Sequence, residues 1–297
     1  MFSAPTGNLY ISHSGGATAG DGGADTTRGL SPRLWSDIKV ANPSTDGNNA
    51  GSFYGDDFEL MQGTGIVAGA ALTYPTVTGL SLSGYRCYAS IGASLTRVTG
   101  EPGGIIKFEA GDTADDSMII STGELVALSD SGGSNNKKTV FETRIKLTTI
   151  VQGSVFVGLG SQVMVADGGL IASGGAPIAT AAAIGFNVDE GDVDGIDFIY
   201  QAANTADVRH INPVKVAVAD TWYKLGFVFD PAAPDSKKIK VYVDNVEQTT
   251  YVTDALMAVA AFPEDEYMGF VAAAMSGDTP ADNNLEIDWW ALYQAHS

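Results

Sequence analysis

Cysteine is almost missing from this chain: Cys87 stands alone among 297 residues, so no intrachain disulfide can form and a disulfide scaffold is excluded. Histidine is nearly as scarce. His13, His210 and His296 lie far apart and far from Cys87, and no Gly-x-Ser-x-Gly occurs, so neither a zinc-ligand spacing nor a nucleophile triad can be assigned. Basic residues are few, 16 against 35 acidic, and the formal charge of −19 opposes phosphate backbones and anionic lipid. Neither nucleic acid nor a membrane is therefore expected as a partner, whereas a basic protein surface or a divalent cation is permitted. The opening MFSAPTGNLYISHSGG has no basic n-region and no continuous apolar stretch, so a secretory signal is not expected. The most apolar long window, Val163–Phe186, is broken by Asp167 and five glycines and is too weak for a spanning helix. Repeats of fixed period are absent too, which excludes solenoids and propellers.

What the chain does have is glycine, 36 residues, with 44% hydrophobic and 17% charged positions, the balance of a turn-rich β protein. The clearest pattern is Thr221–Val246. From Trp222 onward, Trp222, Lys224, Gly226 and Val228 fall on one side and Tyr223, Leu225, Phe227 and Phe229 on the other, the two-residue period of a strand. Two prolines and two aspartates in Asp230–Ser236 stop it, and Ile239, Val241 and Val243 then alternate against Lys240, Tyr242 and Asp244. Asp244-Asn245 supplies the next turn, so the unit is a long antiparallel hairpin. Further strands are predicted at Tyr85–Ala89, Gly104–Glu109, Ser117–Ile120, Ile184–Val188 and Ile196–Tyr200, with a helical turn near Ile178–Ile184 and another at Asp254–Ala261. In Phe141–Leu147, Phe141, Thr143, Ile145 and Leu147 are expected inside, and Glu142, Arg144 and Lys146 outside.

The Trp-Tyr-Lys-Leu strand, its Pro/Asp/Lys loop and the strand Ile-Lys-Val-Tyr-Val-Asp-Asn resemble the central hairpin of concanavalin A-like and laminin-G-like jelly rolls. Leu285–Trp290, LEIDWW, resembles the closing strand of the same folds. With Phe141–Leu147 and Phe156–Leu159, the run from about Val140 to Tyr293 is similar to a jelly-roll domain of tailed-phage virion proteins. The resemblance implies an all-β, lectin-like jelly-roll β-sandwich, and places the chain among lectins, glycosidases and viral structural proteins.

Residues 1–55 show no sustained period and read as an irregular N-terminal arm, leaving 56–297 as the sandwich domain. The arm nevertheless carries apolar anchors. Leu9, Tyr10, Leu34 and Trp35 are the candidate partner-binding residues, since an arm with such anchors docks on its own body or on a neighbouring subunit. Carboxylates at Asp189, Glu190, Asp192, Asp194 and Asp197 suggest calcium, but the twelfth position from Glu190 is Gln201, so an EF-hand is excluded and a solvated turn is the competing reading. No other cofactor or metal is expected. Glu286 and Asp288 resemble the paired acids of jelly-roll glucanases, although Trp290 and Ala291 stand where a third carboxylate belongs, so no catalytic residue is assigned. Trp289 and Trp290 point to opposite faces, one toward the core and one available for stacking.

These observations favour a non-enzymatic phage virion protein, a capsid decoration or cement protein that binds the outer surface of the major capsid protein shell. Oligomerisation as a trimer and assembly in the host cytoplasm follow from that expectation. The alternatives are a carbohydrate-binding module of a tail fibre or spike, and a jelly-roll glycosidase.

Overall fold

The computed structural model describes residues 28–36, 38, 51–58, 66–67, 72–73, 85–98, 104–129, 136–149, 153–166, 177–190, 195–277 and 284–296. In chain order its strands are β1 (Gly51–Asp56), β2 (Ile66–Val67), β3 (Leu72–Thr73), β4 (Arg86–Ala89), β5 (Ser94–Arg97), β6 (Ile106–Glu109), β7 (Ser117–Ser121), β8 (Val126–Ala127) and β9 (Thr139–Leu147). There follow β10 (Gly153–Gly160), β11 (Ala183–Val188), β12 (Gly195–Gln201), β13 (Val208–Val216), β14 (Thr221–Phe229), β15 (Ile239–Val243), β16 (Val246–Glu247), β17 (Tyr267–Ser276) and β18 (Asn284–Ala295). Two short helices, α1 (Val163–Ala166) and α2 (Asp254–Met257), interrupt them. Thr253 caps α2, its hydroxyl oxygen accepting from the Leu256 N–H, which satisfies one of the donors a helix start leaves open.

The strands form two sheets. One runs β16-β15-β14-β9-β18-β6-β5-β2, with β1 also on β18; the other runs β13-β12-β11-β10-β17-β7-β4-β3, with β8 also on β17. Neighbours in each order are antiparallel. Strand β18 is long enough to take β6 along its first half and β1 along its second, on the edge opposite β9. The central hairpin forms as expected. Asp244 and Asn245, at φ 50° and 66°, make the two-residue turn between β15 and β16 that requires a positive φ at both positions.

Alternation along the strands places one apolar face of each sheet against the other. Phe141, Phe186, Phe198, Phe227, Phe270 and Trp290 fill this interior, and Trp290 stacks on Phe270 with ring centroids 4.6 Å apart and planes 2° from parallel. Cys87 is buried there, and burial pushes its thiol up to about 12, so it is an unreactive filler.

Two local expectations differ from the structure, and a bulge in β18 adds a third local feature. The arm boundary placed at 55/56 falls inside β1, because Gly51–Asp56 pairs residue for residue with Trp290–Ala295. The helical turn expected at Ile178–Ile184 is a turn held by Ala181 N–H donating to Ile178 O, and its last residues already belong to β11, where Ile184 enters the interior. Leu285, Ile287 and Trp289 do not share a face. Opposite Arg144, β18 carries two residues, Asp288 and Trp289, and this bulge turns Trp289 outward and Trp290 into the core.

Among the described residues no helix is long and apolar enough to cross a membrane.

Candidate functional site: a charged sheet face closed by the N-terminal segment

The outer face of β14, β9 and β18 carries the most concentrated chemistry. From β14 come Trp222, Lys224, Gly226 and Val228; from β9, Val140, Glu142, Arg144 and Lys146; from β18, Glu286, Asp288 and Trp289. Register puts unlike charges opposite one another. Glu286 pairs with Lys146, and Lys146 Nζ lies 2.7 Å from its carboxylate. The bulge brings Asp288 to Arg144, at 2.7 Å. Burial pulls the Arg144 pKa down, and its pair with Asp288 opposes the fall. Its guanidinium also lies 4.3 Å from the ring centroid of half-buried Trp222.

Most of this face is covered. The segment Arg28–Ser36 lies across it, with Leu30, Leu34 and Trp35 buried against Val140, Val228, Tyr242, Trp289 and Ala291. Gly226 makes the fit possible, because a Cβ there would collide with Leu34 Cδ1. A glycine weakens a strand interior, and here it leaves the hollow that a neighbouring side chain fills. Polar contacts fix the segment in register. Arg28 donates from Nε to Asp288 at 2.7 Å, and a second guanidinium nitrogen meets the other carboxylate oxygen. Glu142 accepts from the Ser31 N–H at 3.0 Å and from Trp35 Nε1 at 2.6 Å. Arg33 N–H donates to Asn245 at 2.9 Å, and Lys224 Nζ donates to Gly29 O at 3.3 Å.

Of the four anchors proposed from sequence, Leu34 and Trp35 are therefore seated on the chain's own sheet, whereas Leu9 and Tyr10 lie outside the described residues. Glu142, expected outside, is 1% exposed, because the strand period assigns a face and the segment then covers that face. The sequence signals that could have found the docking site are Gly226 in the middle of a strong strand and lysine at 224 on the same side.

Burial pushes the Glu142 carboxyl above its ordinary value of 4.5, against the lowering effect of the Ser31 and Trp35 hydrogen bonds and of Lys224. A folded pKa raised above the unfolded one gives a contribution fully present below the unfolded value and lost as pH rises through the folded one. Wild type should thus gain stability over Glu142→Gln as pH falls from neutrality toward 4.5. Urea midpoints measured across that window check this, and parallel curves for the two proteins would show that Glu142 stays ionised throughout.

Asp189 and Asp197 of the acidic turn meet an arginine. Arg209 reaches Asp189 at 2.8 Å, Asp197 at 3.1 Å and Asp207 at 3.5 Å, and Asn212 also donates to Asp197. Burial alone would lower the Arg209 pKa; the three aspartates outweigh it and hold it above its ordinary value. The guanidinium thus meets the carboxylates with which a calcium ion would be ligated, and Asp192 and Asp194 lie outside the described residues. Among the described residues no group of three or more His, Cys, Asp or Glu is placed to hold a metal. A chelator is expected to leave the melting temperature unchanged. A gain in unfolding free energy on adding calcium, about 2.7 kcal/mol at a hundred times its dissociation constant, would instead reveal a bound ion.

No family model matches the chain, and no curated protein matches it. Solved structures do. A protein of unknown function from Shewanella oneidensis MR-1 is 14% identical, with a TM-score of 0.51 over 86% of this chain and 95% of that one. An endo-β-1,3-glucanase from Pyrococcus furiosus is 13% identical, with a TM-score of 0.49 over 82% and 93%. Peanut lectin, solved with a nine-residue peptide, is 10% identical, with a TM-score of 0.48 over 82% and 97%. At these identities the likeness concerns the fold. The chain is an all-β jelly-roll sandwich, and the outer face of its own sheet is closed by its N-terminal segment.

Proposed function

We propose that this is a non-catalytic structural protein of a tailed-phage virion, which decorates the outer surface of the major capsid protein shell and works there as a trimer. The observation that carries the reading is the fate of the strand carboxylates. Glu286 and Asp288 are neutralised by Lys146, Arg144 and Arg28, and Glu142 is held by Ser31 and Trp35. Hydrolysis of a glycoside needs one carboxyl group to protonate and another to attack or to activate water across the sugar. Here the face that presents such groups instead receives a peptide segment, which is the chemistry of assembly. The net charge of −19 suits a basic protein surface as counterpart.

Mass-spectrometric inventory of virions with subunit counting tests the proposal. On the order of hundreds of copies per particle are expected, since symmetry-related positions of a closed shell must be filled alike. A count of tens or fewer would assign the protein to the tail, and light scattering that shows a monomer both free and on the particle would remove the trimer.

A further inference from the structure

We infer that the outer face of β14, β9 and β18 is a receptor for the Arg28–Trp35 segment of a second copy of this chain as well as for its own, so that copies can be joined by exchanging this segment. The inference stands on the geometry of the docking site and does not depend on a virion location.

Three observations lead to it. The segment carries its own turn: Trp35 N–H donates to Ser31 O at 3.1 Å. Its links to the sheet each have a side chain on at least one end, so moving it to another copy breaks no described ladder. Second, the receptor is specific in shape and charge, with the hollow above Gly226 for Leu34, buried Glu142 for the Trp35 indole, and Asp288 for Arg28. Such a site presents the same contacts to a segment from any copy.

Third, the chain between the segment and the sandwich is far longer than docking at home requires. Trp35 and Phe53 touch, their ring centroids 5.8 Å apart, and Ile38, Phe53 and Trp35 share one apolar patch. Yet residues 39–50 intervene between Ile38 and Gly51. Twelve residues can span up to about 40 Å, enough to carry the segment to an adjacent sandwich. A tether of twelve residues supplies an effective concentration of order millimolar to its own receptor. Neighbours held close in an assembly supply a comparable one, and the choice between home and neighbour then rests on proximity.

The pairing of Arg33 with Asn245 offers a trap. Two full-length single variants, Arg33→Cys and Asn245→Cys, are mixed at about 1 mM total chain, the scale of the tether's own effective concentration, and oxidised. Each is then run on a non-reducing gel. The native Cys87 is buried and does not compete. A covalent dimer is expected from the mixture and is absent from either variant alone. The double variant Arg33→Cys/Asn245→Cys serves as the reference for a bond that can form, and circular dichroism shows that each protein is folded. If the double variant closes only within one chain and the mixture stays monomeric, the segment serves its own sandwich alone and the inference is overturned. Should the double variant form no bond in any form, the same comparison is made with Leu30→Cys and Val228→Cys, both in the Leu34 patch; a monomeric mixture there counts equally against exchange.

Discussion

Asp288→Ala is expected to cost the fold about 3–5 kcal/mol, the range for removing one partner of a buried ion pair. Its side chain is 1% exposed, and the Arg144 side chain it neutralises is 11% exposed. Truncation leaves Arg144 desolvated without this carboxylate, and removes the Arg28 contacts with Asp288 at the same time. Two losses then fall together. A double-mutant cycle separates them: Arg28→Ala alone should cost less, since the Arg28 side chain is 38% exposed and its part of the pair is screened by water. Chemical denaturation of the four proteins measures the cycle. Strict additivity, with Asp288→Ala no worse than Arg28→Ala, would show that the bulge carries no structural charge.

Trp35→Ala should cost about 3 kcal/mol, the lower end of the range for truncating a buried aromatic, and should free the whole segment. Its indole fills the patch formed by Val140, Trp289 and Ala291, tilts against Phe53 and donates to Glu142. With the segment still docked, Glu142 would stay buried with a donor missing, and this cost drives the segment off the sheet and returns the carboxylate to water. The upper limit is set by the segment. Once Arg28–Ser36 leaves the sheet, further loss stops, because the interior between the sheets does not include it. Proteolysis within residues 28–36 should therefore accelerate strongly while the sandwich stays intact. A variant whose segment remains protected, with an unchanged urea midpoint, would show that Trp35 does not hold the segment on the sheet.

Much of the sandwich was legible in the chain. Period-two alternation in Trp222–Phe229, the double proline that stops it and the Asp-Asn turn that follows are local properties, decided within a few residues of one another. They specify a hairpin wherever it is placed, whereas the jelly-roll class was implied by the resemblance of several such units to known folds. Faces were legible only in part. Along β9 and β14 the sequence separates two sides correctly, but which side meets water depends on what lies over it. Glu142 and Lys224 look like solvent-facing residues until Arg28–Ser36 covers them.

The site lies further from reach for a similar reason. Arg28 and Asp288 are 260 positions apart, and Trp35 and Glu142 are 107 apart. No spacing rule links such pairs, since they meet only after β9, β14 and β18 have been set side by side. A single extra residue decides the rest: the bulge at Asp288 and Trp289 reverses the alternation that the chain itself displays, turning one tryptophan to the core and the other to the segment. Composition by itself determined a turn-rich, acidic, disulfide-free β protein, and alternation determined its strands. Only the tertiary structure decided that the charged face is a closed peptide-docking site, because burial of a sheet's outer face depends on a distant part of the chain and leaves no periodic mark in the strands it covers.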